Sequence, residues 1–265
     1  MLKTCLQSML LRDNPDPAQR DGITKFINLN PSGGQEITTY DSLDRSLCPS
    51  YRNGYIAMKS WAADLALETM FRDLSDKDDA ATARQQADLT AASIVAKWDK
   101  HERYLPAVFD GKTTARILPI VEGLVFPYEM GLTRETAPDG PYGALIKVLH
   151  DHVDNALQPG ICLDSVTGAW KLSSTSHNTW QSKVYLSQFI VERILGIKDE
   201  RVDGKVDQVH ASFQVCGAAS QAWTDQLNSA TSQALGSTHY PRGVTSALWW
   251  LDTNNAGAGQ NSASK

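Results

Sequence analysis

Two consecutive helical patterns, the first bulky and the second rich in alanine, constrain this chain more than any other feature. From Pro49-Ser50 onward, Ile56, Met58, Trp61, Ala62, Leu65 and Met70 recur at the spacing of one helix face. Ser75-Asp76-Lys77-Asp78 then has the chemistry of a capped start, with carboxylates where a helix N-terminus favours negative charge. That second pattern runs to about Arg103, with Ala80, Ala87, Ala91, Ile94, Val95 and Trp98 inward. Inward alanines let two helices approach closely, so a mainly α fold is predicted.

The rest of the chain extends this reading. Leu2, Cys5, Leu6, Met9 and Leu10 mark one buried face of a first helix, which Asp13-Asn14-Pro15-Asp16-Pro17 breaks before a loop running to Gly34. Tyr104 to Pro141 carries prolines at 106, 119, 127, 138 and 141 and cannot be one helix. Tyr142 to Leu157 is helical through Leu145, Leu149, His152 and Val153, and Pro159-Gly160 stops it. Leu163 to Leu172 reads as a hairpin about a Thr-Gly turn. Asn178 or Thr179 is expected to cap a helix through Leu195, burying Trp180, Val184, Phe189 and Ile194. A further helix is expected from roughly Val206 to Leu227 through Val209, Phe213, Cys216 and Trp223. Residues 253–265, poor in apolar side chains, are expected to be a disordered tail.

Composition excludes several function classes. With 42% hydrophobic residues and 7 Trp, the chain can bury a sizeable core. A net charge of −5 argues against a nucleic-acid footprint, which needs clustered Lys and Arg. No run approaches the ~20 apolar residues that span a bilayer. Gln7, Ser8 and Arg12 interrupt any secretory leader, so a cytoplasmic location is expected. Cys5, Cys48, Cys162 and Cys216 are scattered, which speaks against a zinc site or disulfide framework, and they read as buried thiols in a reducing compartment. His150 and His152 point to different faces of a helix and cannot share a metal. Neither a G-x-S-x-G turn nor a phosphate-binding loop occurs, and no metal or cofactor is expected.

Chemistry concentrates elsewhere. Ser32-Gly33-Gly34 makes a flexible approach to Ile37-Thr38-Thr39-Tyr40, whose residue types favour an extended backbone. Asp41 and Asp44 follow, three residues apart, so each is a candidate helix cap or a catalytic carboxylate. Glu122 is enclosed by apolar residues and must be paired or have a raised pKa if buried, and it is read as either a substrate contact or a member of a structural ion pair. Ser174-Thr175-Ser176-His177-Asn178-Thr179-Trp180 offers hydroxyl and amide groups beside an aromatic ring, a set that suits either sugar binding or a helix cap with a core Trp.

The Thr38-to-Asp44 stretch, taken with Ser174 to Tyr185, resembles the C-terminal half of the β-xylosidases of glycoside hydrolase family 52, over about Leu2 to Leu251. Thr39-Tyr40-Asp41 is more distantly similar to the β-glucosidases of family 116. The resemblance implies that residues 1–252 form part of an (α/α)6 barrel with short β-hairpins in long loops. It implies a retaining β-xylosidase acting on xylo-oligosaccharides or aryl xylosides, with Asp41 as general acid/base and Thr39 beside the sugar. Tyr40, Glu122, Asn178 and Trp180 are the further substrate-binding candidates. The nucleophile of such enzymes is an upstream Glu, whereas the only Glu before Asp41 here is Glu36. Glu36 lies five residues away along an extended piece that rises about 3.3 Å per residue, too far round to face Asp41. The resemblance therefore implies a fragment, with Met1 inside the barrel pattern, an N-terminal β-sandwich and nucleophile-bearing half as missing partners, and little or no turnover of an aryl xyloside by this chain alone. A non-catalytic carbohydrate-binding or assembly subunit and a β-glucosidase are the alternatives, and homo-oligomerisation is left open.

Overall fold

A computed structural model describes residues 1–25, 43–48, 50, 52–202, 204–216, 224–240 and 242–247. Among the described residues the chain is mainly helical with one small antiparallel sheet, and it divides into two compact units, Met1–Ala156 and Leu157–Lys265. Among the described residues no helix is long and apolar enough to cross a membrane.

The first unit is organised by the helix pair that the sequence predicts. Helices α1 (Leu2–Asp13), α2 (Gly54–Asp73) and α3 (Lys77–Ala96) share a core in which Leu6, Leu67 and Phe71 meet Ala80 and Ala83. Asp76 caps α3 through the amide of Asp79, as its position before an alanine run suggests. The start of α2 differs from the expectation at Pro49-Ser50. Asn53 is its cap, accepting from the Ile56 amide at 3.1 Å and donating to the Ser50 hydroxyl at 2.7 Å. Met70, expected inward, is exposed, because the buried face of α2 continues instead through Leu67 and Phe71. Cys5 is also exposed rather than buried, since α1 buries only a narrow stripe centred on Leu6.

A 3-10 segment, Leu118–Leu124, lies against α2 and leads into α4 (Val125–Glu129). Gly123 permits that approach: a Cβ there would come within 2.4 Å of the Met58 carbonyl oxygen. Helix α5 (Gly143–Ala156) matches its predicted bounds within a residue, with Leu145, Leu149, His152 and Val153 all buried. His152 is a satisfied core histidine. Nδ1 accepts from the Leu105 amide and Nε2 meets the Ile117 carbonyl, each at 3.0 Å, and burial holds its pKa down to about 4.

Asp64, on the buried face of α2, is the costly residue of this unit. It is 1% exposed, neither carboxyl oxygen has a hydrogen-bond partner among the described residues, and burial reinforced by the Asp13 carboxylate drives its pKa well above the usual carboxylate range. Above about pH 4 an unfolded aspartate has lost its proton while folded Asp64 keeps one. Stability therefore falls as pH rises from there toward the folded pKa, by about 1.4 kcal/mol per pH unit. Asp64→Asn, neutral throughout, is expected to raise the melting temperature at pH 7 and to leave it nearly unchanged at pH 3. Thermal melts at the two pH values check this, and equal shifts at both would contradict it.

In the second unit the strands β1 (Asn178–Trp180), β2 (Gln226–Asn228) and β3 (Ala234–Gly236) form an antiparallel sheet in that order, with Asn178 opposite Asn228 and Trp180 opposite Gln226. Helices α6 (Gln181–Phe189), α7 (Lys205–Cys216) and α8 (Arg242–Ala247) are the helices of this unit among the described residues. Helix α6 passes into a π-helical turn at Ile190–Ile194, so the expected helix to Leu195 is irregular at its end. Leu227, expected at the end of a helix, is buried in β2 against Ala169 and Phe213. The predicted hairpin is present as a bridge between Leu163 and Trp170. Trp170 is fully buried, its amide donates to His210, and its indole N–H donates to the Arg201 carbonyl.

Candidate functional site

Thr39, Tyr40 and Asp41 lie outside the described residues, as does the expected tail at 253–265. Their neighbour Asp44 is buried and starts a 3-10 turn, Arg45–Leu47, its Oδ1 accepting from the Ser46 amide at 3.0 Å and the Ser46 hydroxyl at 2.6 Å. This carboxylate caps the start of the turn.

Glu122 belongs to the first unit. Its carboxylate is 2% exposed and faces the Lys59 ammonium at 3.4 Å, which in turn stands over the Phe126 ring at 4.5 Å from its centroid. Of the two roles open to Glu122, the geometry supplies the ion pair: a buried carboxylate needs a cation, and Lys59 on α2 provides one.

Asn178 and Trp180 lie in the second unit and are brought together on β1. Asn178 accepts a hydrogen bond from the Gln226 side chain across the ladder at 3.0 Å. Trp180 has the Arg242 guanidinium over its ring at 4.8 Å. Neither Asn178 nor Thr179 caps the following helix. Trp180 occupies the cap position without a side-chain bond, and the orphan amide of Ser182 is taken by Asp225, 43 residues further on, at 2.7 Å. Asp225 also accepts from the Ser182 hydroxyl at 3.0 Å and from Arg242 Nε at 2.8 Å and Nη2 at 2.5 Å. One buried carboxylate thus closes α6, fixes Arg242 and, through it, places a cation on Trp180.

A second arrangement in this unit was not predicted. His177 Nδ1 meets Asp164 Oδ2 at 2.8 Å, and Ser229 Oγ donates to the same oxygen at 3.0 Å. Burial would raise the Asp164 pKa, but the Val166 and Thr167 amides, the Ser229 hydroxyl and His177 outweigh it, so the group stays below the usual carboxylate range and is ionised. The Asp-Ser-Val-Thr-Gly turn was legible in sequence, but its pairing with His177 and Ser229 was not. Two concave regions, a 470 Å³ groove including Glu68, Arg72, Arg84 and Asp88 and a 350 Å³ cleft including Leu163, Thr167, Arg201 and Lys205, contain none of the predicted site residues.

No family model matches the chain. It is 43% identical over 250 residues, 94% of its length, to a β-xylosidase of Geobacillus stearothermophilus. A second β-xylosidase of the same organism is 37% identical over 91 residues, which is 34% of this chain and 15% of that protein. The longer match covers 35% of the Geobacillus protein, so the chain spans about a third of the relative it resembles. An identity this high, sustained over nearly every residue here, makes this chain a relative of the β-xylosidases.

Proposed function

We propose that this chain carries the general acid/base and part of the sugar-contacting surface of a retaining β-xylosidase that acts on xylo-oligosaccharides or aryl xylosides. The observation that carries the reading is the 43% identity to a β-xylosidase across 94% of the chain. Asp41 protonates the departing glycosidic oxygen and then deprotonates the water that releases the sugar. That duty requires a carboxyl whose pKa is raised from about 4 toward 6. Thr39 and Tyr40 are the sugar-binding candidates of the Asp41 motif, and Asn178 and Trp180 are those of the second unit. Glu122, which Lys59 engages from α2, is the remaining substrate-binding candidate.

A retaining enzyme also needs a nucleophilic carboxylate about 5 to 5.5 Å from the acid. In this reading it comes from the two-thirds of the relative's length to which this chain does not correspond, together with the fold elements that complete the barrel. A chimera tests the proposal: this chain replaces the matching 250-residue stretch of the Geobacillus β-xylosidase. The expected result is hydrolysis of an aryl β-xyloside at a rate well above that of the corresponding β-glucoside. A folded chimera that hydrolyses neither, or prefers the glucoside, overturns it.

A further inference from the structure

His177 sits where β1 and β2 are extended by one residue pair. The Asn178–Asn228 register places His177 opposite Ser229, and the Ser229 amide donates to the His177 carbonyl at 2.9 Å. The loop after Leu163 folds over this end of the sheet. Thr167 Oγ1 donates to the Ser229 carbonyl at 2.8 Å, and Asp164, with its side chain fully buried, turns its carboxylate to both strands. Asp164 Oδ1 is used by the Val166 and Thr167 amides at 2.9 and 3.2 Å, which leaves Oδ2 for His177 and Ser229.

The consequence falls on the imidazole. An ionised carboxylate at Nδ1 makes that nitrogen the donor, so neutral His177 carries its lone pair on Nε2. The side chain is 52% exposed, and Nε2 has no protein partner among the described residues. A buried, four-times-bonded carboxylate thus orients an exposed nitrogen whose lone pair is able to accept a hydrogen bond, as carboxylates orient imidazoles in sites where the second nitrogen has work to do.

We propose that His177 Nε2 is a binding group for a hydroxyl of the pentose substrate, held in its tautomer and orientation by Asp164 and Ser229. The proposal rests on the β-xylosidase reading for the identity of the ligand, since a sugar hydroxyl is the donor that reading supplies. Asp164 is the positioning residue, and it does not touch the sugar. All three residues lie within the second unit, so the arrangement is complete in this chain.

The alternative is that the dyad only clasps the loop to the sheet, and two substitutions separate the cases. Asparagine at 177 keeps a donor near the position of Nδ1 and lacks anything at Nε2, whereas glutamine reaches the Nε2 position and abandons Asp164. The 265-residue chain, with its histidines and tryptophans labelled with ¹⁵N, is titrated with xylobiose while the His177 nitrogens and the Trp180 indole are followed by NMR. The expected result is a saturable shift of Nε2. In His177→Asn the affinity falls about tenfold, the worth of one hydrogen bond, with the melting temperature retained. In His177→Gln part of the affinity is retained. If the Trp180 indole shifts while Nε2 stays fixed, or His177→Asn binds as well as the parent, His177 is a clasp and the inference is overturned while the wider reading stands. If xylobiose moves no signal at all, the sugar-contact part of that reading falls with it, although turnover by the chimera would still report on Asp41.

Discussion

Asp41→Asn in the chimera is expected to slow hydrolysis of xylosides with poor leaving groups by about 10² to 10⁴, the usual worth of a positioned general acid. Xylosides with activated phenols should lose far less in the bond-breaking step, because a stable phenolate needs little protonation to depart. The contrast matters more than either loss. An aspartate that only capped a helix would slow both substrates together, through stability or binding, so equal losses across the leaving-group series would remove Asp41 from the acid role. Steady-state rates over a set of aryl xylosides with leaving groups of graded acidity provide the measurement.

The second large effect concerns Asp225. Its buried carboxylate closes the N-terminus of α6 through Ser182 and binds Arg242 through two nitrogens. Asp225→Ala leaves the Ser182 amide and hydroxyl without that acceptor and frees Arg242 from its place over Trp180. Loss of a cap costs about 0.5 to 2 kcal/mol. Loss of one partner of a buried pair costs about 3 to 5 kcal/mol. The Arg242 side chain is 44% exposed and regains water, which discounts the second figure. The expected destabilisation is about 3 kcal/mol by urea unfolding. Asp225→Asn keeps one acceptor for Ser182 and should lose less. A change below about 0.5 kcal/mol for the alanine variant, the range of ordinary surface substitutions, would contradict this assignment.

Local chemistry made much of the first unit legible. The α5 face needs only Leu145, Leu149, His152 and Val153 at helical spacing, and the capped alanine helix needs only Asp76 before Ala80. Bounds failed where two signals competed. Pro49-Ser50 resembles a helix start, yet Asn53 followed by Gly54 is the actual one, with Ser50 recruited as a hydrogen-bond partner of the cap. The second unit was read less well because its determinants are distant in sequence. The cap of α6 comes from Asp225, and Leu227 is in a strand because β1 pairs with it, not because three residues between polar neighbours favour a strand. Such partners follow no helical or alternating period, so a local pattern cannot announce them.

The candidate site divides along the same line. Glu122 was legible as a buried carboxylate needing a partner, but Lys59 had to be found in space. Asn178 and Trp180 were legible as polar and aromatic groups, while Arg242, which covers the ring, was not. Asp41 was marked by resemblance, since its bare chemistry is that of any turn aspartate. Asp164 and Ser229 lie 65 residues apart, and only the fold shows that both act on His177.

If this chain brings the acid/base to a double-displacement glycosidase, as proposed, the anomer released first must retain the substrate's configuration. The direct measurement is proton NMR of the first turnovers of the chimera on an aryl β-xyloside, before the released sugar equilibrates. Release of β-xylose, lost when Asp41 is replaced by asparagine on a poor leaving group, is the predicted result; first-formed α-xylose, or β-xylose released at an unchanged rate by that variant, would contradict it.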